Sequence, residues 1–121
     1  MMDESTDALF RCGEIEMHVD VRGAGEPLLL LHGFTGVAAD WRLVFADPPA
    51  GFRAVAPDLR GHGRSTNPSG RFTFRQAAED VLALLDRLGL ARVKAMGLSA
   101  GALALLHAAT LQPERIEAMV L

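Results

Sequence analysis

Gly97, Ser99 and Gly101 give the chain its clearest capacity for covalent chemistry. They stand between an apolar run, Val93 to Leu98, and the apolar stretch Ala102-Leu103-Ala104-Leu105-Leu106-His107. That order reads as strand, tight turn, helix. A serine at the tip of such a turn is driven into strained backbone dihedrals, and flanking glycines remove the Cβ atoms that would collide where strand and helix approach. The turn exposes Oγ beyond the sheet edge, beside the Ala100 N–H and the positive end of the helix. Both face the point where negative charge develops when an alcohol oxygen adds to a carbonyl, so the chemistry implied is acyl transfer through Ser99. The plain alternative is a serine that merely fills a glycine turn. The apolar strand before it and the helical pattern after it favour the reactive reading.

Two further glycine-rich connections bear on this site. His32-Gly33-Phe34-Thr35-Gly36 follows the run Leu28 to Leu31. A backbone N–H near Phe34 would supply a second donor opposite Ala100. Gly33 and Gly36 let the chain turn there, and His32 reads as a hydrogen-bonded structural residue rather than a proton carrier. Asp58-Leu59-Arg60-Gly61-His62-Gly63-Arg64-Ser65 follows the next strand. No helix begins directly after it, so it is not a phosphate loop. It reads as a shaped connection pinned by Asp58 and Arg60. The four histidines are scattered and Cys12 is the single cysteine, so no metal-ligand spacing and no internal disulfide arise.

These loops need a frame. Leu9 to Val21 predicts two short strands, the second with apolar residues at odd positions and polar ones at even positions. His18 then falls on the wet side. Leu28 to Leu31 is apolar without alternation, as in a strand buried on both faces. Asp40 to Ala46 predicts a short helix with Trp41, Val44 and Phe45 on one face, ended by Pro48 and Pro49. Phe52 to Pro57 is a strand. Thr73 to Leu88 is the clearest helix, with Thr73 and Gln76 as a capping box and Gly89 as C-cap. Its Asp80, Asp86 and Arg87 read as solvated. Val93 to Leu98 is the strand entering the serine turn, the helix after it runs to about Leu111, and Ile116 opens a last strand. Strands alternating with helices predict an α/β fold: a mostly parallel sheet with helices on both faces and its three glycine-rich loops at one edge.

Half of the 121 residues are hydrophobic, which suits one globular domain rather than disorder. The formal net charge of −3 comes without a basic cluster, and nothing favours nucleic acid or an anionic membrane. The acidic N-terminus is unlike a signal peptide. The uncharged stretch from Ala95 to Leu111 is short for a bilayer and reads as buried strand plus buried helix. A cytoplasmic location is expected.

Leu30-Leu31-His32-Gly33-Phe34-Thr35-Gly36, Asp58 to Ser65 and Gly97-Leu98-Ser99-Ala100-Gly101, in this order and spacing, resemble the N-terminal half of an α/β-hydrolase fold protein of the serine-nucleophile branch. Pro113-Glu114-Arg115-Ile116 is also similar to that family. The resemblance implies Ser99 as nucleophile and the Phe34 and Ala100 N–H groups as oxyanion hole. It leaves Gly97, Gly101, His32 and Gly33 as residues that shape the turn and loop. It implies a small ester, amide or thioester substrate and no cofactor. Haloalkane dehalogenases and epoxide hydrolases resemble the chain too, but carry aspartate where Ser99 stands. The stretch from His32 to Gly36 followed by Trp41 is similar to the menaquinone-pathway synthase branch, which eliminates pyruvate. A carbon–carbon lyase and a cofactor-free perhydrolase therefore stand beside the esterase.

The family places its acid and its histidine after the serine. Here only His107 follows, two turns along the same helix and about 12 Å away along its axis. Glu114 and Glu117 are the later carboxylates. The expectation is that residues 1–121 form the N-terminal part of one such domain, without its lid and last strands. The isolated chain is then a poor catalyst that self-associates through an open sheet edge. A non-catalytic binding module is the reading from another class, supported by the missing base.

Overall fold

The computed structural model describes residues 5–121, with backbone alone at residues 5 and 6. Six strands form one sheet: β1 (Ser5–Cys12), β2 (Ile15–Gly23), β3 (Glu26–Leu31), β4 (Phe52–Pro57), β5 (Val93–Gly97) and β6 (Ile116–Val120). Their spatial order is β1-β2-β4-β3-β5-β6. β1 and β2 pair as an antiparallel hairpin, and β2 pairs antiparallel with β4. The pairs from β4 through β3 and β5 to β6 are parallel. The hairpin is longer than its sequence pattern, which began at Leu9. This α/β architecture is the one the alternation of elements predicts.

The leucines of β3 show why the sheet is two-sided. Leu29 and Leu31 join the larger core cluster with Val55, Val81, Leu85 and Leu105, while Leu28 and Leu30 join a smaller one with Ala38, Ala54 and Ala56. Successive strand residues point to opposite faces, so an unbroken apolar run needs cover on both. Helices α1 (Phe74–Leu88) and α2 (Ala100–Leu111) pack on each other and supply the larger cluster. A six-residue 3₁₀ helix, Ala38–Leu43, covers part of the other face.

Helix α1 begins and ends as its caps dictate. Thr73 Oγ1 accepts the Gln76 N–H at 3.0 Å, and Gly89 takes a left-handed conformation with φ 70°. Only half of the capping box forms, because the Gln76 side chain donates to Asp80 instead. The 38–43 segment is 3₁₀ rather than α. Trp41 and Phe45 stack with centroids 6.3 Å apart, but Val44 lies beyond the last turn and is exposed.

Three polar residues read as solvated are buried. His18 and Asp20 lie on the polar side of β2, and that side is covered by the 38–46 segment and the connection after β4. His18 Nδ1 lies 2.7 Å from Asp58, and Asp20 receives a bidentate Arg42. Asp80 is 3% exposed and takes two hydrogen bonds from Arg60 at 2.9 Å. Each is buried with a partner, because an unpaired charge there would cost several kcal/mol, of the order of 3–5. Asp86 is exposed but pairs with Arg115, and Arg87 lies over the Phe10 ring.

Candidate active site

Strand β5 and helix α2 meet at a turn that leaves no room for side chains on its flanks. A Cβ at Gly97 would sit 2.7 Å from the Ala102 nitrogen. One at Gly101 would run into the Leu31 carbonyl oxygen and lie 2.7 Å from that of His32. Glycine at both positions is what lets the helix start directly against the end of β3. The Leu98 N–H donates to the Leu31 carbonyl at 3.1 Å, which locks the turn to that strand.

Ser99 occupies the tip with φ 55° and ψ −115°. A non-glycine residue in that region carries backbone strain of about 1–3 kcal/mol, held by its surroundings. It is the N-cap of α2, yet its side chain makes no cap hydrogen bond. Among the described residues Oγ therefore has no hydrogen-bond partner, and the residue is exposed. The first turn of α2 carries no acidic side chain, so the positive helix end is uncompensated.

The loop after β3 faces this tip. A Cβ built on Gly33 would lie 3.5 Å from the Ser99 Cβ. The Gly36 N–H closes the loop on the Gly33 carbonyl at 3.0 Å. Thr35 sits at φ 68°, and among the described residues it and Ser99 are the two non-glycines with positive φ. The Thr35 strain has no signal in the sequence. Phe34 is exposed, and its ring packs edge-on against His62 and Phe72. Among the described residues no acceptor is seated on the Phe34 or Ala100 N–H. The two donors belong to the loop and the helix end that converge on Ser99.

No histidine is poised beside the serine. His32 is 1% exposed; its Nε2 accepts the Leu59 N–H at 2.9 Å and its Nδ1 contacts the Gly33 carbonyl at 2.6 Å. That pair of contacts fixes the neutral tautomer with the proton on Nδ1. Burial pushes the His32 pKa down, which keeps the ring neutral. His62 spends Nδ1 on the Arg60 carbonyl, and its ring lies tilted against that of His32 with centroids 5.0 Å apart. His107 lies exposed along α2. Among the described residues, no group of three His, Cys, Asp or Glu side chains is placed to hold a metal, and no helix is long and apolar enough to cross a membrane.

The connection after β4 braces the site from behind. Asp58 accepts the Ala38 N–H at 2.7 Å and the Arg64 N–H at 3.0 Å and faces His18 at 2.7 Å. Burial acts to raise the Asp58 pKa, but these donors outweigh it and hold the carboxyl below its ordinary range. Ser65 Oγ donates to the Asp58 carbonyl and accepts the His18 N–H. Arg60 adds Glu14 at 2.7 Å to its Asp80 fork, and these hydrogen bonds raise its pKa. The sequence marks Asp58 and Arg60 as pins; their partners His18, Asp80 and Glu14 carry no such mark.

Residues 26–121 match the alpha/beta hydrolase fold family. The chain is 34% identical to epoxide hydrolase 3 of Siraitia grosvenorii, covering 98% of this chain and 39% of that protein. It is 37% identical to an epoxide hydrolase of Caballeronia sordidicola, covering 87% of this chain and 33% of the relative. The crystal structure of an epoxide hydrolase from Vigna radiata superposes with a TM-score of 0.87 at 33% identity, over 96% of this chain and 39% of that one. The chain thus spans two fifths or less of the length of these proteins. The matched residues take in both glycine-rich loops and the serine turn, and on that match the chain belongs to the alpha/beta hydrolase fold family.

Proposed function

We propose that Ser99 is the nucleophile of a hydrolase acting on small esters, amides or thioesters. The observation that carries this reading is the strained Ser99 tip, with Oγ exposed and unspent where the Phe34 loop and the start of α2 converge. Oγ adds to the substrate carbonyl and gives its proton to a base. The carbonyl oxygen takes the electron pair and is held by the Phe34 and Ala100 N–H groups. Collapse expels the alcohol, amine or thiol, which takes up a proton, and water then releases the acid from the acyl-serine.

Relatives of this chain are named epoxide hydrolases. A serine oxygen opening an epoxide would form an ether, which offers water no carbonyl to attack. An aspartate there would form an ester, which water can cleave. Serine at this tip therefore favours acyl substrates over epoxides.

On this reading a base other than these histidines serves Ser99, because both His32 ring nitrogens and His62 Nδ1 are held in structural contacts and His107 lies exposed along α2. Imidazole in solution should stand in for it. Intact mass of the chain after fluorophosphonate treatment should show labelling that rises with added imidazole and is lost in Ser99→Ala. Absence of labelling at any imidazole concentration overturns the reading. Labelling without imidazole places a base within the chain. A binding module is the second reading, favoured by the lack of a base beside Ser99 among the described residues.

A further inference from the structure

Beside the serine tip lies a cavity of about 40 Å³, lined by His32, Gly33, Asp40, Trp41, Val44 and Leu98. Gly33 and Leu98 are also the nearest walls of the tip: Leu98 precedes Ser99, and a Cβ on Gly33 would lie 3.5 Å from the Ser99 Cβ. Leu98 and Val44 are 60% and 59% exposed. Large apolar side chains left open together around a concave site mark a place for apolar ligand surface. Trp41 closes one side, and its indole N–H is buried with no acceptor among the described residues.

From these contacts we infer that this cavity is the acyl subsite, and that it selects unbranched acyl chains of about three carbons. The inference rests on Ser99 as the acyl acceptor. A water needs roughly 10–15 Å³ on the same measure, so the space takes about three water-sized groups. A chain entering from a carbonyl on Ser99 passes Gly33 and Leu98 and stops between Val44 and Trp41. Longer chains have no further apolar wall to bury.

Trp41 is the single tryptophan of the chain, so its indole gives one cross-peak in a ¹H–¹⁵N spectrum, from a side chain that lines this cavity. The probes are methyl ketones from butan-2-one to nonan-2-one, which carry an ester-like carbonyl and no leaving group. Added to the full chain, they should shift the Trp41 indole peak saturably. The methylene added from butan-2-one to pentan-2-one, which completes a three-carbon chain, should tighten binding about fourfold, and each later one should leave it unchanged. Val44→Phe should abolish the shift, and Leu98→Ala should extend the tightening to longer chains; both positions are exposed, so both variants should fold. Tightening that continues with every methylene to nonan-2-one, or a Val44→Phe variant that binds as the parent does, overturns the inference. Ser99→Ala should bind the ketones unchanged while losing phosphonate labelling. Ketone binding without imidazole-dependent labelling would sink the nucleophile assignment and with it the acyl role, leaving an apolar ligand cavity; labelling without ketone binding would sink the subsite alone.

Discussion

The connection after β4 and the turn after β5 draw on the same residues, glycines with small polar and charged groups, and the fold treats them in opposite ways. In the first, Asp58, Arg60, His62 and Ser65 all have partners, and all three guanidinium nitrogens of Arg60 donate to Asp80 or Glu14. In the second, Ser99 is strained, exposed and makes no cap hydrogen bond. Burying charged groups fully paired gives a rigid brace at little net gain, since desolvation offsets attraction. Leaving a hydroxyl unpaired at a helix start keeps it available to a substrate. Satisfaction marks the scaffold here, and its absence marks the proposed site.

Arg60 tests the scaffold half most strongly. Arg60→Met leaves Asp80 buried and uncompensated, so urea unfolding should show a loss of about 3–5 kcal/mol. Adding Asp80→Leu should recover most of it, because a well-packed apolar pair replaces the ions. A single variant that unfolds with the parent would erase the contrast between the two loops. At the other loop, Gly101→Ala forces a methyl against the Leu31 carbonyl. It should cost about 1–3 kcal/mol and abolish imidazole-dependent labelling of Ser99, since the helix start has to move.

The serine turn was legible because its requirement is local. Gly97 and Gly101 encode a close approach within five residues, and the same is true of Thr73 and Gly89 at the ends of α1. The leucines of β3 were legible because an unbroken apolar run has one explanation in a sheet. His18, Asp20 and Asp80 were misread because alternation and helical spacing describe an element's own faces and say nothing of what later chain covers them. His18 meets Asp58 and Arg60 meets Asp80 across 40 and 20 residues. Pairings at such distance follow from topology. The Trp41 cavity is of the same kind, since the loop after β3, the 3₁₀ segment with Val44 after it, and the residue before Ser99 build it together.

Ser99→Gly separates the two loops by sign. Glycine tolerates the backbone that serine holds under strain, so the substitution should raise stability by about 1 kcal/mol and the melting temperature by about 4 °C, while ending labelling. No glycine substitution in the fully paired loop should do the same. A Ser99→Gly variant that melts below the parent would mean that the turn stores no strain.

The smallest effect is in pH. The folded His32 pKa lies below its ordinary 6.5, mainly through burial, so an unfolded chain takes up a proton there more readily than the folded one. That contribution to stability is complete above pH 6.5 and is lost as pH falls through the folded value. Asp58 has the same sign in a lower window, below 3.8, where protonation ends its acceptance of the Ala38 and Arg64 N–H groups. Melting temperature should therefore decline from pH 7 toward pH 5, with a slope of at most about 1.4 kcal/mol per pH unit from His32. His32→Gln, with an amide to donate to Gly33 and accept from Leu59, should flatten that decline and leave the acid-side fall from Asp58 in place. If the slope persists in His32→Gln, it does not arise from this ring, and burial does not set the His32 contribution to stability.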